Sequence, residues 1–200
     1  MALLRPHAPF AAAALAALFL LAAGCGPLSK RVDPDVDDSV GGTGIDSADV
    51  RAIADEMSRR IMATPEIARA TTPPTIVLEP VKNGTPFQID TDILVVKIRG
   101  LLNEHATGRV TFLARERLDA IEAERAAKRE GVFTSSGEKQ LLGADFFLTG
   151  ELLSVSKARD DVRSDYILYT FQLIDTENSV MVWEGQYEVK KEGKQGTVYR

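Results

Sequence analysis

The chain has 200 residues, with 24 Lys and Arg against 29 Asp and Glu, a net charge of −5, one cysteine and two histidines. An acidic balance argues against a nucleic-acid partner, which calls for a basic face. A single cysteine excludes an internal disulfide, and so few His and Cys exclude a zinc site built on several of them.

The first predicted element is a targeting signal. Arg5 supplies a positive start, fourteen apolar residues run from Phe10 to Ala23, and Gly24 is a small residue at the cut. That is the shape of a secretory signal, and the run is too short for a comfortable membrane span. The sequence Ala22-Ala23-Gly24-Cys25 resembles a lipobox, with Ala22 in place of the usual leucine and Leu21 one position earlier. The resemblance implies diacylglyceryl transfer to the Cys25 thiol, cleavage before it and acylation of the new amine. Cys25 is therefore the expected lipidation site and residues 1–24 the expected signal. The competing reading is a plain secretory signal with an incidental cysteine. Removing Arg5 with the signal leaves 23 basic against 29 acidic residues, a net charge of −6. Residue 26 is Gly, whereas Asp there retains lipoproteins of enteric bacteria in the inner membrane, so outer-membrane sorting is expected.

Residues 26–45 are rich in Gly, Pro, Ser and Asp and show no apolar period. They predict a flexible tether whose root-mean-square span is roughly 25 Å and whose stretched limit is about 70 Å. Asp46 or Ser47 can cap a helix in which Val50, Ile53, Ala54, Met57 and Ile61 share a face, ending near Pro65. Pro73-Pro74 lead into a short buried strand, Thr75–Leu78, expected to stop at Pro80. Asn83-Gly84-Thr85-Pro86 reads as a loop.

Asp90-Thr91-Asp92 caps a second helix with Leu94, Ile98, Leu101 and Leu102 on one face. His105 falls at its end and is the only imidazole left once His7 leaves with the signal. A histidine there serves the last helical carbonyls rather than catalysis. Val110–Leu113 is a second strand, and the unit 75–113 is long enough for a parallel, right-handed crossover. A third helix is predicted from about Glu116 to Glu130, with a thin stripe of Leu118, Ile121 and Ala126 and a charged solvent face. Gly131–Gly137 is expected to be mobile, and Glu138–Leu142 to form one more helical turn.

The last third changes period. Phe146–Val155 and Asp165–Ile174 are strands, the second with Ile167, Tyr169, Phe171 and Leu173 on one face. Asp175–Ser179 is a turn. Val180–Val189 follows with Met181, Trp183, Tyr187 and Val189 on one face and Val182, Glu184, Gln186 and Glu188 on the other. Such alternation predicts an antiparallel meander covered on one side, with the three helices as its cover. The expected fold is a single α/β domain over 46–200, a mixed sheet of about five strands with helices packed on it.

No G-x-S-x-G elbow or comparable nucleophile motif is present. A carboxylate-dependent hydrolase would need two carboxylates in a cleft, and nothing in the sequence places any two so. The chain predicts no enzyme, no cofactor and no metal.

The folded part resembles the LpoB family, lipoprotein activators of a class A penicillin-binding protein. The carriers are Asp46–Ala54, Ile76–Asn83 with Thr85, Ile89–Ile93, Gly143–Gly150, Asp165-Tyr166 with Leu173–Thr176, and Trp183–Tyr187. The resemblance implies a domain like the amino-terminal domain of TolB, tethered to the outer membrane on its periplasmic side. It would act as a monomer that binds a regulatory domain of the synthase. The short tether departs from the long ones of family members that span the periplasm. The candidate partner-binding residues are Lys157, Arg159 and Arg163, together with Lys190, Lys191, Lys194 and Arg200. The loop Lys82-Asn83-Gly84-Thr85 is a further candidate. Lysines on a terminal strand also serve to prevent edge pairing. The alternative function is a structural lipoprotein of an envelope secretion or flagellar assembly.

Overall fold

The computed structural model describes residues 29, 31–36, 42–106, 108–134, 137 and 139–194. The expected signal, Cys25 and Arg200 lie outside them. The chain divides into two units, Met1–Asp33 and Pro34–Arg200, and every element below belongs to the second.

Helix α1 (Ser47–Ala63) opens on a reciprocal cap. The Asp46 carboxylate accepts from the Asp49 N–H at 2.9 Å, and the Asp49 carboxylate from the Asp46 N–H at 3.1 Å. Two N–H groups that the helix leaves without internal partners are thereby satisfied. Its buried face is the expected one, Val50, Ile53, Ala54, Met57 and Ile61, joined by Ser58. A short helix α2 (Pro65–Ala68) begins with a proline, which needs no N–H there.

Strand β1 (Thr75–Gly84) does not stop at Pro80. Its register against β3 (Phe146–Arg159) slips between Leu78 and Val81, and the bulge accommodates the missing proline N–H. Helix α3 (Asp92–Ala106) returns the chain to β2 (Thr111–Phe112), which pairs parallel with β1 as the crossover requires. A 3-10 turn at Arg115–Arg117 leads into α4 (Leu118–Arg129). Residues 139–142 form no helix. Leu141 and Leu142 are exposed, so a lone turn there would have nothing to pack against.

Strands β3, β4 (Val162–Asp175) and β5 (Met181–Lys194) form the expected antiparallel meander. The five-stranded sheet runs β2-β1-β3-β4-β5. Registered rows line its inner face: Leu148–Leu173–Trp183, Gly150–Phe171–Gly185 and Leu152–Tyr169–Tyr187. The glycines make room for rings. A Cβ on Gly150 would lie 2.9 Å from the Phe171 ring, and one on Gly185 would lie 2.4 Å from the Trp183 indole. Helices α1 and α3 pack on each other and supply Met57, Ile61, Leu94, Ile98 and Leu102 to this core.

Two expectations change here. Helix α4 buries no residue, so two helices rather than three cover the sheet. Met181 leaves the Trp183 face. The register slips between Leu173 and Ile174, so that Met181 sits opposite Ile174. Val182 packs against the core in its place, while Met181 is exposed.

Candidate protein-interaction surface

Because side chains alternate along a strand, every inward row of β3–β5 has an outward counterpart. These outward residues are not uniformly polar. Leu153 stands opposite Leu168, and Val155 opposite Tyr166. Leu153 is 45% and Val155 58% exposed, and Val162 and Met181 are exposed on the same face. Burial and the neighbouring Glu188 carboxylate push the Tyr166 phenol up.

The expected partner-binding cations divide by the same alternation. Lys157 faces out near the end of β3, Arg159 ends that strand, and Lys190 sits opposite Tyr166 on the outer face. Lys157, Arg159, Val162, Ser164 and Glu192 line a shallow open depression beside the β3–β4 turn, where Lys194 stands opposite Val162. Lys190 pairs with Glu192 at 2.8 Å, and Arg159 lies 3.8 Å from Asp160. These exposed pairs are weak.

Arg163 and Lys191 face inward. Arg163 donates to the fully buried Asp165 through Nε at 2.6 Å and through its terminal nitrogen at 3.1 Å, and its guanidinium lies 5.7 Å from the Phe87 ring centre. Asp165 also accepts from the Thr43 hydroxyl. Burial pushes the Asp165 carboxyl up, but hydrogen bonds from Arg163, Ser156 and Thr43 outweigh it and hold the group below its ordinary value. Lys191, registered opposite Asp165, donates to the Gly44 carbonyl at 3.2 Å and to the Asp46 and Asp49 carboxylates at 2.7 Å each. Burial pushes Asp46 up, but Lys191 and the Asp49 and Ala48 N–H groups bring it below the ordinary range. At Asp49 burial prevails and the carboxyl is raised. These cations thus fasten residues 43–49 across the inner end of β4 and β5.

Of the expected loop, Lys82, Asn83 and Gly84 are instead the last residues of β1, registered with Glu151, Leu152 and Leu153, and only Thr85 and Pro86 lie beyond the strand. Lys82 pairs with Glu151 at 3.0 Å. The Asn83 side chain accepts from the Thr85 N–H at 2.9 Å and donates to the Phe87 carbonyl at 2.8 Å. A Cβ on Gly84 would fall 2.8 Å from the Leu152 carbonyl oxygen. The Thr91 hydroxyl donates to the Val81 carbonyl at 2.5 Å and ties the start of α3 to β1.

Leu153, Val155, Tyr166 and Leu168 were not singled out by the sequence reading. Their signal was present in the parity opposite to Leu148, Leu152, Ile167 and Tyr169. His105 is exposed in the last turn of α3. Among the described residues no group of His, Cys, Asp and Glu could hold a metal ion, and no helix is long and apolar enough to cross a membrane. The arrangement is an apolar strip with a charged rim.

No curated protein matches the chain. Among solved structures it is similar to the LpoB C-terminal domain from Salmonella enterica, at 12% identity and TM-score 0.43, covering 72% of this chain and 99% of that one. The LpoB C-terminal domain from Escherichia coli matches at 14% identity and TM-score 0.43 over the same shares, 72% and 99%. The NMR structure of E. coli LpoB matches at 12% identity and TM-score 0.41, covering 86% and 79%. The profile of the family described as peptidoglycan-synthase activator LpoB matches residues 49–189, from the first turn of α1 to Val189 in β5. With that match spanning the body of the fold, the chain belongs to the LpoB family of peptidoglycan-synthase activators.

Proposed function

We propose that the chain is an outer-membrane lipoprotein, anchored through Cys25, that binds the regulatory domain of a class A penicillin-binding protein as a monomer and speeds peptidoglycan synthesis. The observation that carries this reading is the family match over residues 49–189. The signal ending at Cys25 supports the anchor, and the Gly at residue 26 supports the outer membrane. An activator of this kind needs no catalytic group. It needs a higher affinity for the working conformation of the synthase than for the idle one, because only differential affinity shifts a population.

The outer face of β3–β5 is the docking surface of this proposal. Leu153, Val155, Tyr166 and Leu168 form its apolar centre, and Lys157, Arg159 and Lys190 its charged rim. Arg163 and Lys191 serve from behind, by fixing the strands that carry it.

The test uses the mature lipoprotein in detergent with the class A synthases of its own organism, first for binding and then for lipid II polymerisation. Binding with faster polymerisation is expected. Lys157→Glu combined with Lys190→Glu should weaken binding about tenfold, roughly 1.4 kcal/mol, with no change in melting temperature. Absence of binding at tens of micromolar would overturn the proposal, and binding without acceleration would make the chain a scaffold.

A further inference from the structure

We propose that the free edge of β5 is a strand-pairing surface for a second copy of this chain, guarded by Arg60. The sheet ends differently on its two sides. β2, at one edge, has two residues, whereas β5, at the other, has fourteen. A long open edge invites another strand, and a very short one does not. From Trp183 to Lys194 the register with β4 runs without a break, so the backbone groups of β5 turn alternately to β4 and to the open side. Two observations fix which residues turn outward. Arg60 of α1 donates to the Gln186 carbonyl at 3.0 Å. Thr170, the β4 residue opposite Gln186, sets its carbonyl oxygen against the place a Cβ would take on Gly150 of β3, and so does not bond across to β5. The N–H and C=O groups of Glu184, Gln186, Glu188, Lys190, Glu192 and Lys194 therefore face away from β4. Among the described residues no strand pairs with this edge, and Arg60 is the side chain that reaches it.

The side chains of the same residues are exposed on the outer face, and their order selects the partner. Two identical strands related by a twofold axis pair antiparallel. The register centred on Val189 pairs the whole stretch from Glu184 to Lys194. In it Glu188 stands opposite Lys190 and Glu184 opposite Lys194, each pair occurring twice, and Gln186 stands opposite Glu192. No like charges meet. A slip of two residues one way sets Glu188 against itself and Glu184 against Glu192. The same slip the other way sets Lys190 against itself and Glu188 against Glu192. Opposite charges across a strand pair stabilise it, and like charges destabilise it. Lysines on an edge discourage indiscriminate pairing. Interleaved here with glutamates, they match this chain's own β5.

Arg60 sets the threshold for pairing. In the pair, the Gln186 carbonyl accepts from the Glu192 N–H of the second copy, and in the single chain Arg60 holds that same carbonyl. Each copy must release it, so the pair is weak and forms as concentration rises. The pair also draws Lys190 away from the rim proposed for the synthase, and the synthase-binding form remains the monomer. That last consequence rests on the activator reading, whereas the pairing itself does not.

The test uses residues 26–200, which hold every element of the fold and no cysteine. Sedimentation equilibrium gives the monomer–dimer constant. Arg60→Ala should tighten the dimer about fivefold, and Lys190→Glu should weaken it about tenfold. Glu188→Lys combined with Lys190→Glu exchanges the charges across the axis and should restore the constant to within about twofold. Val189→Cys should form a disulfide-linked dimer on mild oxidation, because Val189 faces its own copy across the axis. A chain that stays monomeric up to about 1 mM even with Arg60→Ala would overturn the proposal. So would a dimer that the charge exchange does not rescue, or one that Val189→Cys does not cross-link. Neither lipid nor synthase takes part, so failure here leaves the activator reading standing, and failure of that reading leaves the pairing to be judged on its own.

Discussion

At the scale of single residues, two neighbours on one strand have opposite duties. Lys190 points to solvent, while Lys191 sits among Gly44, Asp46 and Asp49. Removing the Lys191 ammonium leaves two partly buried carboxylates without their cation. Lys191→Met should therefore lower unfolding stability by about 2–3 kcal/mol. Lys190→Met should stay within about 0.5 kcal/mol, because its partner keeps its water. Urea midpoints of the two variants check this, and equal effects would refute the assignment. Composition could not separate the two lysines, but alternation could. Lys191 has the parity of Tyr187 and Val189, which were already placed on the buried face. Arg163 likewise has the parity of Ile167 and Tyr169. No sequence signal pointed to the Tyr169 hydroxyl, which is buried without a hydrogen-bond partner among the described residues. Burial, and next the Asp49 and Asp46 carboxylates, push that phenol far up, so it stays neutral.

At the scale of elements, the long periodic segments were legible and the irregular ones were not. The apolar stripe of α1 and the alternation of β4 each have one good solution, so sequence and structure agree. Bulges are different, since they depend on the neighbouring strand. The slip after Leu78 lets β1 continue past Pro80, and the slip at Ile174 turns Met181 outward. Neither shows in a single strand read alone. Helix α4 fails as a cover for a plainer reason: its stripe is thin, and no side chain on it is buried. Helix α3, by contrast, buries Leu94, Val95, Ile98 and Leu102. Local opening should expose α4 at little cost, while opening α3 breaks the core. Native-state hydrogen exchange should show the mid-helix amides of α4 at least about 100-fold less protected than those of α3. Equal protection would mean that α4 is held by contacts as strong as those of the core.

At the scale of the whole molecule, the mixed sheet and its single covered side follow from the patterns in the chain. The ionic fastening of residues 43–49 to β4 and β5 does not, because its partners lie more than a hundred residues apart. That fastening gives the molecule its pH response. Asp165 and Asp46 have carboxyls held below their ordinary value of 3.8 in the folded state. The stability they contribute is present above 3.8 and is lost as pH falls through their lowered values. Asp49 is raised above 3.8, so the folded state takes up its proton at higher pH than the unfolded chain. Its contribution has the opposite sign, falls as pH rises past 3.8, and offsets part of the gain. Lys191 is raised above 10.5, because its two carboxylates outweigh the burial that would lower it. Its contribution is present below 10.5 and is lost as pH climbs through the raised value. Stability should therefore hold between about pH 5 and pH 10, decline below about pH 4 and decline again above about pH 10.5. Asp165→Asn removes the more buried of the two lowered carboxylates and keeps an acceptor for Arg163 and Thr43. It should lower the plateau and flatten the acid limb, read from urea midpoints across pH. An acid limb as steep as wild type would place the acid sensitivity elsewhere than in this network.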